Sequence, residues 1–375
     1  MNFDFSDDQK LLKDQANKFL SDKSSLKVVR RVLDTDETYA KDVWKGIVEM
    51  GWTGTTIPEA YGGIGLGHLE LCMIAEELGR SLAPVPFSSS VYLATEALLI
   101  AGSEEQKQKY LPALAAGEMI GTLALSESAQ AATPKTMKVS FEGGKLKGTK
   151  MPVPDGDVAN FSIVVAKTGS GTDEKSVSLA IVDLAGKGVT HAPLKTLDPT
   201  RNLSTVTFDG APAELLGKQG EGWAVLQQVL DRAAVLVAFE QIGGADAALA
   251  AAKDYAMNRY AFGRPIASFQ AIKHKLADMY IKNELARSNS YYGAWALSTG
   301  APDLPAAAAG SRVAATEAFN FAAKENIQTH GGMGFTWEFD CHLFYRRAKW
   351  LSLCLGSHLS WKDRLVSELE KRNAA

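Results

Sequence analysis

The first third of the chain places apolar side chains at the spacing of amphipathic helices. Leu12, Ala16 and Leu20 recur about one turn apart, directly after the segment Ser6–Gln9, which has the serine and glutamine of a capping box. The segment Ser103–Gln106 repeats this signature before another helical pattern. This part of the chain is therefore predicted to be helical.

Between residues 120 and 217 the pattern changes to short runs rich in β-branched residues. The runs read SIVVAK, VSLAIVDL and STVTF, and turn signals such as Glu142-Gly-Gly and Asp155-Gly lie between them. Their spacing predicts a small antiparallel sheet or barrel, because strand–helix–strand units would need helical patterns between the strands.

Helical character returns after residue 217 and continues to the end. The stretch Gln219–Arg259 is rich in alanine and has no proline, which predicts one long helix. Further helices are predicted at 268–298, 303–329 and 343–371. The predicted fold class is α+β and multi-domain, with an N-terminal helical domain at 1–119, a middle β domain at 120–217 and a C-terminal helical bundle at 218–375.

Composition limits the classes of function. The chain has 375 residues, 46% of them hydrophobic, and a net charge of −3, so it can form two or three domains and lacks the basic excess typical of nucleic-acid binding. The N-terminus shows no secretory signal and no apolar run reaches the length of a membrane span, so a cytoplasmic protein is expected. The three cysteines and six histidines are dispersed, so we expect no disulfide framework and no metal site.

The segment Tyr255–Met279 carries the clearest chemical signal. Tyr255 and Arg259 are predicted to lie one turn apart on a helix that breaks at Phe262-Gly-Arg-Pro265, and a new helix begins near Gln270. An arginine, backbone amides and a glutamine amide at one break would suit a phosphate-linked aromatic ligand. The alternative is an ordinary helix–turn–helix corner with a solvated Arg259.

A second candidate lies at Gln328–Phe335, where a helix is predicted to end in a cluster of glycines. Glycines let a backbone approach a ligand closely and leave amides to point at it. A glycine helix cap would explain one of them, but Gly331, Gly332 and Gly334 fall within four positions. His330 is interpreted as a packed or capping histidine.

Taken together, these segments resemble the acyl-CoA dehydrogenase family over essentially the whole chain. The matching stretches are PEAYGGIGLG, GSEEQKQKYLPALAAGE, ALSES, YAMNRYAFGRPIASFQAIKHKLADM and QTHGGMGFTWEFD. The resemblance implies an N-terminal helical domain, a middle β-barrel and a C-terminal four-helix bundle. It also implies FAD as cofactor, α,β-dehydrogenation of acyl-CoA thioesters, electron transfer to an electron-transfer flavoprotein, and assembly into dimers or tetramers.

In that family the flavin lies across a subunit interface, so the resemblance implies two sets of cofactor contacts. One set would meet a flavin held mainly by a neighbouring subunit, and it consists of Arg259, Phe262, Gln270, Gln328, Gly331 and Gly332. The other set, Leu125 and Ser126, would face the flavin ring, but the loop Leu125–Ala132 lacks the family's proline and both glycines. The strand expected over the ring reads Met151-Pro-Val-Pro-Asp155, and its two prolines remove backbone donors.

The carboxylate that removes the substrate α-proton in most family members is missing. Its position falls on Leu355, whose backbone amide would still be able to donate to the thioester carbonyl. A second position used in the family falls on Ala233, and Glu240 stands two turns further along nearly the same predicted helix face. Apolar neighbours would raise the pKa of Glu240 toward that of a useful base, whereas a structural carboxylate paired with an arginine or lysine is the competing interpretation.

Asp231 and Arg232 are predicted to start the same helix, where the resemblance implies contacts to the coenzyme-A adenine. A solvated pair in the first helical turn is equally compatible with their positions.

Two hypotheses remain for an acyl-CoA dehydrogenase. The chain forms a self-sufficient homo-oligomer with Glu240 as its base, or it is one subunit of a heteromeric enzyme and lends its contacts to a partner's flavin. The stretch GFTWEFDCHLFYRRAK resembles a branch that acts on bulky thioesters such as steroid side chains, which indicates lipid or steroid catabolism. A flavin-dependent oxidase or monooxygenase on the same fold, and a non-catalytic scaffold subunit, are the alternatives from other classes.

Overall fold

The structure is a computed structural model that describes residues 6–374; residues 1–5, on which part of the N-terminal prediction rests, and residue 375 lie outside that range. Internal contacts divide the chain into two compact units. The bundle unit contains residues 6–31, 68–83 and 234–374, and the sheet unit contains residues 32–67 and 84–233.

The predicted helical segments at both ends of the chain are present. Both capping boxes form, since the hydroxyls of Ser6 and Ser103 each accept a hydrogen bond of 3.2 Å from the backbone N–H of the glutamine three residues on. The helices are α1 (Asp7–Lys23), α2 (Leu26–Asp34), α3 (Lys41–Glu49), α4 (His68–Arg80), α5 (Glu96–Ala101), α6 (Glu104–Ala115), α7 (Gly222–Asn258), α8 (Gln270–Thr299), α9 (Leu304–His330), α10 (Cys341–Leu353) and α11 (His358–Ala374).

The strands of the sheet unit form one mixed, mainly antiparallel sheet. They are β1 (Gly121–Ala124), β2 (Ser140–Glu142), β3 (Lys145–Pro154), β4 (Phe161–Lys167), β5 (Val177–Asp183), β6 (Val189–Pro193), β7 (Leu203–Pro212) and β8 (Glu214–Leu216). Their order is β6-β7-β3-β2-β4-β5-β8, with β1 beside β4. Buried residues such as Val164, Val182 and Phe208 form its core.

The long alanine-rich helix is confirmed as α7, which has 37 residues. Its length and apolar composition would allow it to cross a membrane, so the expectation that no apolar run reaches that length is wrong. However, 78% of its most apolar window is buried inside the protein, as in the core helix of a globular protein. The apolar composition of α7 is therefore explained by its packing inside the protein.

The single helix predicted at 343–371 is wrong, because residues 354–357 separate α10 from α11. Gly356 adopts φ = +101°, a conformation that side chains of other residues rarely allow. The apolar stretch around it reads as helical by periodicity, and the break becomes visible only through its tertiary contacts.

Within the bundle unit, α4 and α7 cross with their backbones in direct contact. A Cβ atom on Gly79 would lie 1.8 Å from the carbonyl oxygen of Glu240, and one on Gly243 would lie 1.8 Å from that of Glu76. Only glycine allows this approach from both sides. The crossing therefore fixes the position of Glu240 along α7.

Buried charges surround this crossing. Glu76 is fully buried and pairs with Lys13 at 2.8 Å and with Arg287 at 2.9 Å. Burial alone would raise the pKa of Glu76, but Arg287 and Lys13 outweigh it and hold the pKa below its ordinary value. The carboxylate is thus ionised and paired.

We predict that Gly243→Ala destabilises the protein by about 2 kcal/mol or more, because the added methyl group would force the two helices apart. Gly310→Ala is the matched control, since a Cβ on that helical glycine would meet only the Asn289 side-chain oxygen at 3.8 Å. This control is expected to be neutral or to stabilise by up to about 1 kcal/mol. Urea unfolding monitored by circular dichroism measures both, and equal stabilities of the two variants would contradict the crossing.

Candidate functional site

The segment after α7 forms a small exposed hairpin. Arg259 lies just beyond the end of the helix rather than on it, and its N–H donates to the carbonyl of Tyr255 at 2.8 Å. Phe262 and Gly263, with φ of +51° and +75°, make the turn between the short strands β9 (Tyr260–Ala261) and β10 (Arg264–Pro265). The Phe262 side chain is 94% exposed, and Arg259 and Gln270 are exposed too.

The glycine cluster forms the C-terminal cap of α9. Gly331 has φ = +60° and its N–H donates to the carbonyl of Gln328, so the glycine cap is present. A Cβ on Gly334 would lie 2.4 Å from the Ile327 carbonyl oxygen, which explains that glycine by packing. By contrast, a Cβ on Gly331 or Gly332 would meet nothing within 4 Å, and both glycines and Gln328 are exposed. Their surface is therefore open to a ligand.

His330 is a packed histidine, as predicted. Its ring stacks on that of Tyr255 with centroids 4.1 Å apart, and Nδ1 lies 2.8 Å from the carbonyl oxygen of Asn326. Burial holds the pKa of His330 below its ordinary value.

The turn that carries Leu355 is held by tryptophan and arginine side chains. The indole Nε1 of Trp361 donates to the carbonyl of Leu355 at 3.0 Å. Arg312 of α9, which is 1% exposed, donates to the carbonyl of Leu351 and lies 4.0 Å from the sulfur of Cys354. The turn therefore has a fixed conformation within the bundle unit.

Arg312 also links this turn to the predicted carboxylate. It donates to Gln241 Oε1 at 2.7 Å, next to Glu240, which is 3% exposed. Burial holds the pKa of Arg312 below its ordinary value, although Cys354 and Glu240 act in the opposite direction. Sequence analysis missed Arg312, and the available signal was a cation in the otherwise apolar first half of α9.

The prediction that Asp231 and Arg232 start a helix is wrong, because α7 begins at Gly222. A Cβ on Gly222 would lie 2.5 Å from the backbone of Ser178, so the true helix start packs against β5. Asp231 is buried, and Arg232 pairs at 2.8 Å with the fully buried Glu96. The pair is thus part of the interior of the sheet unit and is not a solvated first turn.

The carbonyls of Leu125 and Ser126 accept hydrogen bonds from other residues of the sheet unit. The buried Lys150 ammonium donates to the carbonyl of Leu125 at 2.9 Å and to Glu127 at 2.8 Å, and the N–H of Met151 donates to the carbonyl of Ser126 at 2.8 Å. Burial lowers the pKa of Lys150 to about 8, although Glu127 opposes this shift.

The adjoining strand offers few hydrogen-bonding groups. Pro152 and Pro154 have no N–H, and the Pro154 carbonyl accepts a hydrogen bond of 2.5 Å from the Thr122 hydroxyl. The neighbouring Asp155 is buried and accepts from the Ser89 hydroxyl at 2.5 Å. The Pro154 carbonyl and the Asp155 carboxylate are therefore engaged in internal structure.

Known proteins resemble the chain from end to end. Family models described as the N-terminal and C-terminal domains of acyl-CoA dehydrogenase match residues 6–118 and 220–358. The acyl-CoA dehydrogenase IpdE2 of Mycobacterium tuberculosis is 32% identical over 364 residues, which cover 97% of this chain and 98% of that protein. The mitochondrial isovaleryl-CoA dehydrogenase of Arabidopsis thaliana is 33% identical over 366 residues, which cover 94% and 89%. The solved ChsE4–ChsE5 complex from Mycobacterium tuberculosis gives a TM-score of 0.89 at 26% identity and covers 99% of both chains.

We predict that Glu240→Gln lowers the free energy of unfolding by an amount on the order of 3 kcal/mol, because it removes a buried negative charge close to the buried Arg312. Glu317→Gln, at a half-exposed residue of α9 that pairs with Lys362 at 2.7 Å, is the control and should change stability far less. Thermal and denaturant unfolding measure both variants. Equal effects would show that Glu240 is not the partner charge of Arg312.

Proposed function

Because the chain belongs to the acyl-CoA dehydrogenase family, we propose that it is one subunit of a heteromeric, FAD-dependent acyl-CoA dehydrogenase. In this assembly, exposed residues of its bundle unit contact a flavin whose ring is bound by the middle domain of a partner subunit. We call these residues the flavin platform: Arg259, Phe262, Gln270, Gln328, Gly331 and Gly332.

The contrast between the two predicted sets of cofactor contacts carries this proposal. The platform is exposed, and there is open space next to Gly331 and Gly332. Both observations fit a cofactor that is bound by another chain. The loop Leu125–Ala132 lacks the family's proline and both glycines, and the strand after Lys150 has two prolines where amide donors would be needed. The ring contacts are therefore assigned to the partner's loop.

Each platform residue contributes a distinct interaction. The Arg259 guanidinium supplies a fixed positive charge and paired donors for the pyrophosphate of FAD. The amides of Gln270 and Gln328 can both donate and accept, which suits the adenosine end. The open backbone at Gly331 and Gly332 allows a close approach of the cofactor. When bound, FAD accepts the hydride that leaves the β-carbon of the acyl thioester.

The base for the α-proton is assigned to the partner subunit. Leu355 cannot take a proton, and Glu240 is buried close to the buried Arg312, which fits a structural partner charge for that arginine. A self-sufficient homo-oligomer is the second candidate, and the burial of Glu240 in the same unit that carries the Leu355 turn is the observation that favours it. In that version Glu240 is the base and the Leu355 amide polarises the thioester carbonyl.

The remaining assignments follow from family membership and are part of the proposal. The substrate is an acyl-CoA, and the electron acceptor is an electron-transfer flavoprotein. The similar proteins named above include an isovaleryl-CoA dehydrogenase, so the acyl group needs a direct assay. A panel running from isovaleryl-CoA to a steroid side-chain thioester would identify it.

We expect the chain purified alone to be colourless near 450 nm, since its own loop lacks the ring contacts. Co-expression with its partner, a second acyl-CoA dehydrogenase-like chain, should give a yellow complex with one FAD for every pair of chains. Absorbance and subunit ratio measure this. A yellow homo-oligomer that oxidises acyl-CoA would support the Glu240 version, yellow protein that consumes oxygen with another substrate would support an oxidase, and a complex without flavin would support a scaffold.

Within the assembled complex, Arg259→Ala should weaken FAD binding about tenfold or more, because a charge-assisted contact to phosphate is lost. Arg372→Ala removes an exposed arginine near the end of α11 and should leave FAD affinity unchanged. Recovery of flavin fluorescence on dilution measures the dissociation constant, and equal constants for the two variants would contradict the platform.

A further inference from the structure

The flavin platform is built from two segments that are distant along the chain. Arg259, Phe262 and Gln270 belong to the hairpin between α7 and α8, whereas Gln328, Gly331 and Gly332 belong to the end of α9. A single cofactor can contact both segments only if their separation is fixed, because a misplacement of about 1 Å weakens several contacts at once. Something in the bundle unit must therefore hold them together.

An aromatic cluster made of Tyr255, His330 and Phe339 connects the two segments. The Tyr255 and His330 rings stack with centroids 4.1 Å apart and an interplanar angle of 28°. Phe339 meets both rings edge-on, at 5.9 Å from Tyr255 and 5.6 Å from His330. Stacked and edge-to-face pairs at these distances are favourable beyond their burial.

Each of these two stacked rings is close in sequence to a platform residue. The Tyr255 carbonyl accepts the N–H of Arg259 at 2.8 Å, so the tyrosine and the arginine share a backbone bond. His330 directly precedes Gly331, and its Nδ1 lies 2.8 Å from the Asn326 carbonyl, which orients the ring on its own helix. The contact between the two rings therefore joins the backbone segments that carry Arg259 and Gly331.

The cluster borders a cleft that is not filled by protein. This open cleft of about 600 Å³ within the bundle unit is lined by Tyr255, His330 and Phe339, together with residues such as Asn326 and Asn258. Dense packing on all sides would hold a ring in place without any special contact. Because that packing is incomplete here, the positions of the rings depend more heavily on one another.

We propose that Tyr255 and His330, braced by Phe339, are positioning residues that set the spacing of the two halves of the flavin platform. They touch no cofactor themselves and act through Arg259 and Gly331. This inference rests on the proposed function, since it concerns the same platform.

The test compares variants that keep or remove a ring, in the assembled complex with its partner. Tyr255→Leu and His330→Leu should each raise the FAD dissociation constant roughly three- to tenfold, which corresponds to the loss of one aromatic pair. Tyr255→Phe and His330→Phe keep the rings and should bind FAD as the parent complex does.

The matched control is Tyr291→Leu, which removes a second stacked pair of the bundle unit, Phe239–Tyr291, with centroids 5.9 Å apart and an angle of 6°. It should lower the melting temperature without changing the FAD dissociation constant. If Tyr255→Leu and Tyr291→Leu lower stability equally and leave FAD affinity equal, the cluster is only structural and the inference is overturned.

Two further outcomes separate the inference from the proposed function. If Arg259→Ala weakens FAD binding and both leucine variants do not, the platform stands and the positioning role is refuted. If Arg259→Ala also has no effect, the platform itself is refuted. Should Tyr255→Leu fail to assemble, His330→Leu decides the question by the same comparison.

Discussion

The backbone contact between α4 and α7 is the constraint on which the bundle unit depends. Two glycines, Gly79 and Gly243, bring the helices so close that a methyl group on either would overlap a carbonyl oxygen. This approach fixes α7 in the middle of the unit, with Glu240 at the crossing and the segment leading to Arg259 at its far end. Buried pairs around Glu76 neutralise the charges that such close packing removes from water.

The two units differ in whether the polar groups of the predicted cofactor contacts are bonded internally or exposed. In the sheet unit, the loop at Leu125 and the strand that ends at Pro154 satisfy their carbonyls with Lys150, Met151 and Thr122. In the bundle unit, the ends of α7 and α9 and the start of α8 leave a guanidinium, two side-chain amides and glycine backbone at the surface. Exposed polar groups on one unit, and carbonyls that are bonded internally on the other, are the physical basis for proposing that this chain has a supporting role in an assembly.

Much of the fold could be predicted from the sequence because its signals are local. Capping boxes, short runs of β-branched residues bounded by turns, and a proline-free alanine-rich stretch are signals of this kind, and the helices and the sheet form as they indicate. The break before α11 could not be predicted, because LCLGS is apolar and helical by period while the contacts of Arg312 and Trp361 are distant in sequence. The place of Arg232 was also missed, since its partner Glu96 lies far away along the chain. For the platform, the residue types were visible in sequence, but their exposure and the ring contacts behind them were not.

The exposure of Phe262 has a consequence for the abundance of the chain in the cell. An aromatic ring that is 94% exposed at the tip of a hairpin is apolar surface that a partner chain can cover. Binding of a partner stabilises the folded chain, so unbound copies unfold more often and are cleared by quality control. In the proposed assembly this ring is covered by the partner. Copies made in excess of the partner would then be the ones removed, so the abundance of this chain would follow the supply of its partner even without coordinated transcription.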